Sequence, residues 1–309
     1  MYIILLGASG FLGNATSRAL ADAGHEVVGI SRRFPPMRDN RIRYIRSNYD
    51  SNDEISELYQ RADVVLHMAW DTTPSSSVTK AALEVHANLL PLARLLDGLQ
   101  KWFSGRFIFV STGGALYGVT SQSVSSQTAA LEATALNPVS YYGAGKGSAE
   151  LMLKAFSNQT NTRLTLLRPS NVYGPGQAAQ KQFAVVPTLL ESLRDGRPFY
   201  VRGDGSATRD YLFIYDFVAF ICDYLHYLPE DRQYSVFNVC YGSSITLREL
   251  ISTAERVTGR TADIRYQSSL PTDLCWVGLS ASQAQTTLDW SAKVSIQEGI
   301  GRTWRSMQT

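Results

Sequence analysis

The sequence predicts an α/β fold, a doubly wound parallel sheet with a smaller C-terminal α/β region after it. Short, continuously apolar segments of strand length alternate with helical segments over about the first 170 residues. A glycine-rich turn directly follows the first apolar segment, and the alternation stops beyond Pro169. Strands that are apolar throughout indicate burial on both faces, as in a parallel sheet covered by helices.

The individual elements follow from local patterns of apolar residues and turn residues. Residues 2–6 form the first predicted strand, residues 14–23 a helix closed by Gly24, and residues 26–30 a second strand. We expect further strands at residues 64–66, 107–110 and 164–167, and helices around residues 80–99 and 143–158. Beyond Pro169, loops rich in Gly and Pro separate shorter helices near residues 183–194 and 246–258.

Composition and net charge limit the kinds of molecule that the protein is expected to bind. A chain of 309 residues, 44% hydrophobic and 18% charged, has an ordinary globular composition and a length that suggests two domains. The net charge is +2 and no basic run is longer than Arg32-Arg33, so we expect neither a nucleic acid nor a membrane surface as partner. The first residues lack the basic region and the long apolar run of a signal peptide, which predicts a cytoplasmic protein.

Cysteine and histidine positions predict no metal. The three cysteines, Cys222, Cys240 and Cys275, are far apart and form no C-x-x-C pair, which argues against a disulfide framework and against a zinc site. None of the four histidines has the spacing of a metal ligand relative to another.

The turn after the first strand has the pattern of a phosphate-binding loop. Gly7, Gly10 and Gly13 are three residues apart and open a helix. Glycines let the backbone approach a pyrophosphate, whose charge is met by N–H groups at the helix N-terminus. A plain tight turn is the alternative. The residues expected to contact the cofactor here are Gly7, Ser9, Gly10, Phe11, Leu12 and Gly13.

The end of the second strand bears on the choice of cofactor. An acidic residue there would bind the ribose hydroxyls of NAD, whereas the sequence has Ser31-Arg32-Arg33, and arginine suits the 2′-phosphate of NADP. NADP is therefore favoured over NAD, with a solvated surface arginine pair as the alternative. Asn48-Tyr49, after the third strand, is a further contact for the adenine or else a turn.

Two hydroxyl-bearing segments predict acid–base chemistry. Ser111-Thr112 ends an apolar strand, and Tyr142 and Lys146 lie four residues apart at the start of a predicted helix, hence on one face of it. A lysine ammonium beside a phenol lowers the pKa of the phenol, which could then exchange a proton with an alcohol. The alternative is a half-buried tyrosine beside a lysine that reaches to solvent.

Taken in order, these motifs resemble those of the extended short-chain dehydrogenases/reductases of the nucleotide-sugar epimerase/dehydratase family. The resemblance covers nearly the whole chain. It rests on residues 7–13, His67-Met68-Ala69-Trp70, Asn88, residues 111–118, residues 142–146, residues 168–176, and the segment from Gly203-Asp204-Gly205 to Arg209-Asp210-Tyr211. It implies an NAD(P)-binding Rossmann domain over residues 1–170, to which the chain returns around residues 210–240, and a mainly nucleotide-sugar-binding domain over residues 171–309.

The resemblance also implies roles for single residues. Tyr142 would be the general acid/base, Lys146 would hold the nicotinamide ribose, and Thr112, or else Ser111, would hydrogen-bond the reacting sugar oxygen. Asn88 is expected to be a structural helix residue. Further cofactor contacts are implied at Met68, Ala69, Trp70 and Pro169. Substrate contacts are implied at Gly113, Tyr142, Asn171, Arg209 and Asp273.

Two departures from the family pattern limit the reaction. Gly113-Gly114 stands where the 4,6-dehydratases of the family carry an Asp-Glu pair, so dehydration would lack its acid and base. Leu270-Pro271-Thr272-Asp273 lacks the arginine that usually contacts a phosphate, which is missing or supplied from elsewhere.

Three functions remain open at this point. The first is a nucleotide-sugar epimerase acting at C4 through a transient 4-keto intermediate, and it is favoured by the double glycine. The second is an NADPH-dependent 4-keto nucleotide-sugar reductase, favoured by the arginine pair. The third is a non-catalytic nucleotide-binding protein, since fold alone does not prove activity. Family members often dimerise through helices that correspond to residues 80–99 and 143–158, so a homodimer is expected.

Overall fold

The computed structural model describes residues 1–48, 53–101, 103–118, 129–179, 184–228, 233–269 and 274–308. The chain folds into two units, each described separately below. Unit 1 consists of Met1–Thr112, Ser140–Arg168 and Val218–Phe237, and unit 2 consists of Gly113–Val139, Pro169–Phe217 and Asn238–Thr309.

Strands and helices alternate up to residue 169, except that the third strand follows the second with no helix between them. In chain order they are β1 (Tyr2–Leu6), α1 (Phe11–Asp22), β2 (Glu26–Ser31), β3 (Ile42–Arg46), α2 (Asp53–Arg61), β4 (Val64–His67), α3 (Ala81–Glu84), a π-helical turn (Val85–Leu89), α4 (Leu90–Leu99), β5 (Arg106–Val110), α5 (Tyr141–Thr160) and β6 (Arg163–Pro169). The remaining elements are β7 (Asn171–Tyr173), α6 (Val185–Asp195), β8 (Phe199–Arg202), β9 (Thr208–Phe213), α7 (Ile214–Tyr227), β10 (Tyr234–Val239), β11 (Ser244–Thr246), α8 (Leu247–Thr258), β12 (Ile264–Gln267), β13 (Trp276–Val277), α9 (Ser282–Leu288) and α10 (Ile296–Ser306).

A seven-stranded sheet with strand order β10-β6-β5-β4-β1-β2-β3 forms the centre of unit 1. The pairs from β6 to β3 are parallel, with Leu5 of β1 opposite Gly29 on one side and Leu66 on the other. The strand order reverses between β1 and β4, and in such sheets ligands bind beyond the carboxyl ends of the strands at that point. The predicted doubly wound α/β fold is confirmed.

Burial explains why these segments are strands. Every residue of β1, β4 and β5 is buried, as expected for strands that helices cover on both faces. The core on one face of the sheet joins Phe107 and Phe109 of β5 to Leu95 of α4 and Leu153 of α5. Burying side chains of this size stabilises a fold by about 1.5–3 kcal/mol each.

Two helices of unit 1 differ from their predicted form. Helix α1 begins at Phe11 rather than at residue 14, because Gly10 is already its N-cap residue. The helix predicted for residues 80–99 is present, but Val85–Leu89 makes a π-helical turn between α3 and α4. Apolar periodicity does not distinguish such a turn from an α-helical one.

In unit 2, β7 and β11 both pair with β9, as does β13, and β8 pairs with β12 in a separate parallel ladder. The predicted short helices are present as α6 and α8. Helix α8 begins with a capping box between Thr246 and Glu249 and ends at Gly259, whose φ of 67° suits glycine. Among the described residues, no helix combines the length and the apolar character needed to cross a membrane.

Candidate active site

The glycine turn joins β1 to α1 in unit 1. Gly7 has a φ of +92°, and a Cβ there would lie 2.8 Å from the backbone nitrogen of Ala69. A Cβ on Gly13 would lie 2.2 Å from the carbonyl oxygen of Gly7, so this close approach of backbone excludes a side chain. Gly10 leaves the N-terminus of α1 without a side-chain cap. The turn therefore exposes helix N–H groups to an anion such as a pyrophosphate.

The predicted cofactor-selecting residues lie at the end of β2. Ser31 is buried, and its hydroxyl donates a hydrogen bond to the carbonyl of Arg33, 2.6 Å away. The guanidinium of Arg32 makes two hydrogen bonds to the carboxylate of Asp71, one from Nη1 to Oδ2 at 2.6 Å. Arg33 and Asn48 are exposed. Tyr49 lies outside the described residues.

Met68, Ala69 and Trp70 follow the carboxyl end of β4, the strand next to β1. The backbone of Ala69 adjoins Gly7, as described above, and the Trp70 ring packs edge-on against Phe109 with a centroid distance of 5.9 Å. The Nε1 atom of Trp70 is buried and has no hydrogen-bond partner within the described part of the chain. A buried donor without a partner is costly, and a bound ligand could satisfy it.

Lys146 lies in the first turns of α5, which Ser140 caps by accepting a hydrogen bond from the backbone of Gly143. The Lys146 side chain is buried, and its Nζ donates a hydrogen bond of 2.8 Å to the carbonyl of Val110 and lies 4.1 Å from the centre of the Trp70 ring. Burial lowers the pKa of Lys146 to about 7, while the carboxylates of Glu150 and Glu84 act in the opposite direction. A small change in its surroundings therefore decides its charge near neutral pH.

Tyr142 is half-buried one turn before Lys146, and the hydroxyl of Thr112 is the polar group that acts on its phenol. Removal of the phenol from water raises the pKa of Tyr142, Thr112 lowers it, and Glu84 raises it further. The pKa is thus displaced in the opposite direction to the one expected from Lys146, because desolvation is the largest contribution. Ser111 is buried, and its Oγ has no partner among the described residues.

The predicted substrate residues of unit 2 lie on adjoining strands. Asn171 of β7 is in register with Tyr211 of β9, two residues beyond Arg209, and its side chain donates a 2.9 Å hydrogen bond to the carbonyl of Asp210. The backbone nitrogen of Gly113 donates to the carbonyl of Pro169, 2.7 Å away. The Arg209 guanidinium donates a 2.7 Å hydrogen bond to the carbonyl of Thr208. Asp273 lies outside the described residues.

Sequence reasoning missed three residues that organise these loops. The carboxylate of buried Asp210 accepts hydrogen bonds from the backbone nitrogens of Tyr241 and Gly242, at 3.0 and 2.7 Å. Asp71 pairs with Arg32, and Glu84 is buried near the start of α5. The motif containing Asp210 was visible in the sequence. The pairing of Asp71 with Arg32 spans 39 positions and had no local signal.

Asn88 connects two parts of unit 1. Its Oδ1 accepts a 2.7 Å hydrogen bond from the backbone nitrogen of Asp71, and its Nδ2 donates to Thr72 at 2.9 Å and to Glu84 at 3.0 Å. The amide thereby fixes the loop that follows β4 to the π-helical turn.

No metal site is evident in the described ranges. They contain no group of three or more His, Cys, Asp or Glu side chains placed to hold an ion. His67 is buried between aromatic rings of β5, and burial together with Lys146 lowers its pKa to about 3, so its imidazole is neutral. The glycine turn and the unpartnered Trp70 Nε1 instead fit a dinucleotide.

Comparison with known proteins agrees with this geometry. Residues 3–240 match the model of the NAD dependent epimerase/dehydratase family. The chain is 29% identical to dTDP-4-dehydro-6-deoxyglucose reductase from Escherichia coli, over 99% of this chain and 97% of the relative. It is 28% identical to UDP-glucose 4-epimerase from Mycolicibacterium smegmatis, over 98% of this chain and 97% of the relative.

A solved structure has the same fold over its full length. UDP-glucuronic acid 4-epimerase from Bacillus cereus, in complex with UDP-glucuronic acid and NAD, superimposes with a TM-score of 0.89 at 26% identity, covering 100% of this chain and 99% of that one. The family match spans well over half of the sequence and includes the glycine turn and the Tyr142–Lys146 segment. The chain belongs to the NAD-dependent epimerase/dehydratase family of extended short-chain dehydrogenases/reductases.

Proposed function

We propose that this protein is a nucleotide-sugar epimerase that acts at C4 through a transient 4-keto intermediate. The observation that carries the proposal is the placement of Tyr142 one turn before buried Lys146 on α5, with the Thr112 hydroxyl acting on the Tyr142 phenol, in the unit that contains the glycine turn. The absence of an Asp-Glu pair after Thr112 speaks against dehydration. The relatives named above include two 4-epimerases that match almost the whole chain.

Each named side chain has a distinct task in this reaction. Bound NAD or NADP supplies reversible hydride transfer at C4 of the sugar. In its phenolate form, Tyr142 takes the proton of the C4 hydroxyl and later returns it, while Thr112 orients the same sugar oxygen. Lys146 binds the nicotinamide ribose, and its positive charge favours the phenolate of Tyr142.

Cofactor and substrate are assigned to different parts of the chain. Residues 1–170, with the returning segment around residues 210–240, would bind the cofactor through the glycine turn, Met68, Ala69, Trp70 and Pro169. Residues 171–309 would mainly bind the nucleotide-sugar. There Asn171 and Arg209 would bind the diphosphate, Arg209 as a charge-assisted donor, with Gly113 and Asp273 as further contacts.

The choice between NAD and NADP depends on the end of β2. Arg32 and Arg33 support a preference for NADP, since only NADP carries a 2′-phosphate. The pairing of Arg32 with Asp71 works against a preference for NADP, because Arg32 must leave the Asp71 carboxylate before its guanidinium can pair with that phosphate. The relative of known structure named above binds NAD.

A reductase is the second candidate function. It is supported by the 29% identity to a reductase of a 4-keto nucleotide-sugar and by the arginine pair. A reductase consumes NADPH in each turnover, whereas an epimerase regenerates its cofactor and can retain it.

The deciding experiment analyses the purified protein in two steps. The protein is denatured without added cofactor, and the released nucleotide is identified by mass spectrometry. A second, native sample is incubated with UDP-glucose alone, and proton NMR follows inversion at C4. Retained NAD or NADP near one per chain together with inversion is expected. Protein that is isolated empty and turns over a 4-keto nucleotide-sugar only with added NADPH would identify the reductase.

We also propose a homodimer. The continuous helical stretch from α3 to α4 exposes Leu83, Val85 and Leu90, and α5 exposes Leu151. These are the two helical regions for which the family resemblance implies dimerisation. Exposed apolar side chains grouped on helices are typical of an interface.

A further inference from the structure

Glu84 is a buried carboxylate to which the proposed reaction assigns no task. Its side chain is at the end of α3 and only 3% of the residue is exposed. Oε2 accepts a 3.0 Å hydrogen bond from Nδ2 of Asn88, whereas Oε1 is buried without a hydrogen-bond partner in the described part of the chain. A carboxylate is costly to bury unless a positive charge nearby compensates for the lost water.

The structure places this carboxylate against the helix that carries Tyr142 and Lys146. A Cβ built on Gly145 would lie 2.9 Å from Oε2 of Glu84. Gly145 directly precedes Lys146 and follows Tyr142 by three positions, so no side chain separates the carboxylate from the backbone of α5 at this point. Because residue 145 is glycine, the Glu84 carboxylate can lie directly against the backbone of α5.

The π-helical turn and Asn88 hold the carboxylate in place. The turn begins directly after Glu84, and Asn88 lies within it. Asn88 is bonded at its other end to the backbone of Asp71 and to the hydroxyl of Thr72, which is itself buried. A single-turn widening of this kind is often found at functional sites.

The other charged groups that face Lys146 are accounted for within unit 1. Glu150, one turn further along α5, raises the pKa of Lys146 more than Glu84 does, but its carboxylate also makes a two-pronged ion pair with Arg168 of β6, including a 2.6 Å bond. From β4, His67 is neutral, and from its own helix Tyr142 is an uncharged phenol at neutral pH. Trp70 and Phe109 face the Lys146 ammonium with their aromatic rings, which carry no net charge.

We propose that Glu84 supplies the buried counter-charge that keeps the Lys146 ammonium protonated beside Tyr142. Glu84 is then a positioning residue for the proton-transfer pair, since it acts through Lys146. The electrostatics agree in sign, because Glu150 and then Glu84 raise the pKa of Lys146 against the lowering by burial, and of the two only Glu84 has no arginine partner in the described ranges. The inference rests on the proposed function only in taking Tyr142 and Lys146 as the reacting pair.

The test measures the protonation of Lys146 directly. The protein is produced with lysine labelled with ¹³C at the ε carbon, and the resonance of Lys146, identified by its loss in Lys146→Met, is titrated by NMR. The wild-type midpoint should lie near pH 7. In Glu84→Gln, which keeps an oxygen for the Asn88 amide but loses the charge, the midpoint should fall by about one unit or more.

Activity provides a second reading of the same change. Lys146 loses its proton at lower pH in Glu84→Gln, so the alkaline limb of the pH–rate profile should move to lower pH by a similar amount. Thr72→Val is the matched control, because it removes a hydrogen bond from the same Asn88 amide without removing a charge. Its Lys146 midpoint should stay at the wild-type value.

The outcomes separate this inference from the proposed function. An unchanged Lys146 midpoint in Glu84→Gln, or an equal shift in Thr72→Val, would overturn the role of Glu84. If Glu84→Gln fails to fold, Gly145→Ala tests the same contact, because the new Cβ pushes the carboxylate away and should also lower the midpoint. The titration needs no substrate, so it decides the inference even if the protein does not epimerise a sugar.

Discussion

The hydroxyl of Thr112 acts on the phenol of Tyr142 within unit 1, where it lowers the pKa of Tyr142 against the larger rise that burial causes. The contact joins the end of the hydroxyl-bearing strand β5 to the first turn of α5. It brings together two groups that are 30 positions apart in the sequence. A substrate oxygen that hydrogen-bonds to both hydroxyls would exchange its proton with Tyr142 and would be oriented by Thr112.

Tyr142→Phe should lower the turnover rate by about 10²–10⁴-fold, because it removes the group that exchanges the proton. The affinity for NAD or NADP, measured by calorimetry, should stay within twofold. Tyr141→Phe is the control, since Tyr141 is exposed on the same helix and should retain the wild-type rate. Near-normal turnover in Tyr142→Phe would remove this residue from the mechanism.

Much of the fold and part of the site follow from local sequence patterns. Gly13 is required where its backbone meets Gly7, and such a turn after a buried strand has a recognisable spacing. The buried strands of the sheet are apolar throughout, so their positions are also visible in the sequence. Lys146 and Tyr142 could be paired because four positions make one turn of a helix.

Features that depend on tertiary environment could not be predicted in this way. The pKa of Tyr142 is raised because desolvation outweighs nearby charge, and burial is not a local property of the sequence. The hydrogen bonds of Asn88 to Asp71 and Thr72 join segments 16 and 17 positions apart. Nothing in the local sequence indicates that Glu84 is buried, because a single acidic residue in a helical segment is usually exposed to solvent.

The arginines after β2 give a prediction for cofactor selectivity. Replacement of both Arg32 and Arg33 by Ala should weaken NADP binding by about tenfold or more, and NAD binding by much less, because only NADP offers a 2′-phosphate. Asp71→Asn should strengthen NADP binding, since it releases Arg32 from its partner. Dissociation constants for both cofactors, measured by calorimetry, check each statement.

Exposed Arg43 on β3 provides a control for the loss of a positive charge elsewhere in unit 1. Arg43→Ala should leave the ratio of the two dissociation constants unchanged. An equal loss of affinity for NAD and for NADP in the double arginine variant would show that Arg32 and Arg33 do not bind the 2′-phosphate.

The ion pair between Glu150 and Arg168 should matter for stability. Both side chains are at most 6% exposed, so Glu150→Gln leaves a buried guanidinium without its carboxylate. The free energy of unfolding should fall by about 3–5 kcal/mol, measured by urea denaturation. Replacing both residues, Glu150→Leu with Arg168→Met, should recover most of that loss, because neither member of the pair is then left as an unpaired buried charge.

The exposed pair of Glu298 and Arg302 on α10 gives the comparison. Glu298→Gln should change the unfolding free energy by less than about 1 kcal/mol, because water screens this pair. A loss in Glu150→Gln no larger than this would mean that solvent reaches Arg168 in the variant.

The exposed apolar side chains of α3, α4 and α5 predict how the homodimer is held together. Leu151 is 67% exposed on α5, and introducing a charge there would place it in an apolar interface. Wild-type protein should have twice the 34.2 kDa mass of the chain by light scattering, and Leu151→Glu should have the mass of one chain.

Met37→Glu is the matched control, because Met37 is 71% exposed but lies outside these helices, so this variant should remain a dimer. A wild-type mass of one chain would show that the homodimer prediction is wrong. A dimer that persists in Leu151→Glu would place the interface elsewhere on the surface. Loss of the dimer in both variants would mean that added charge, rather than the face of α5, controls association.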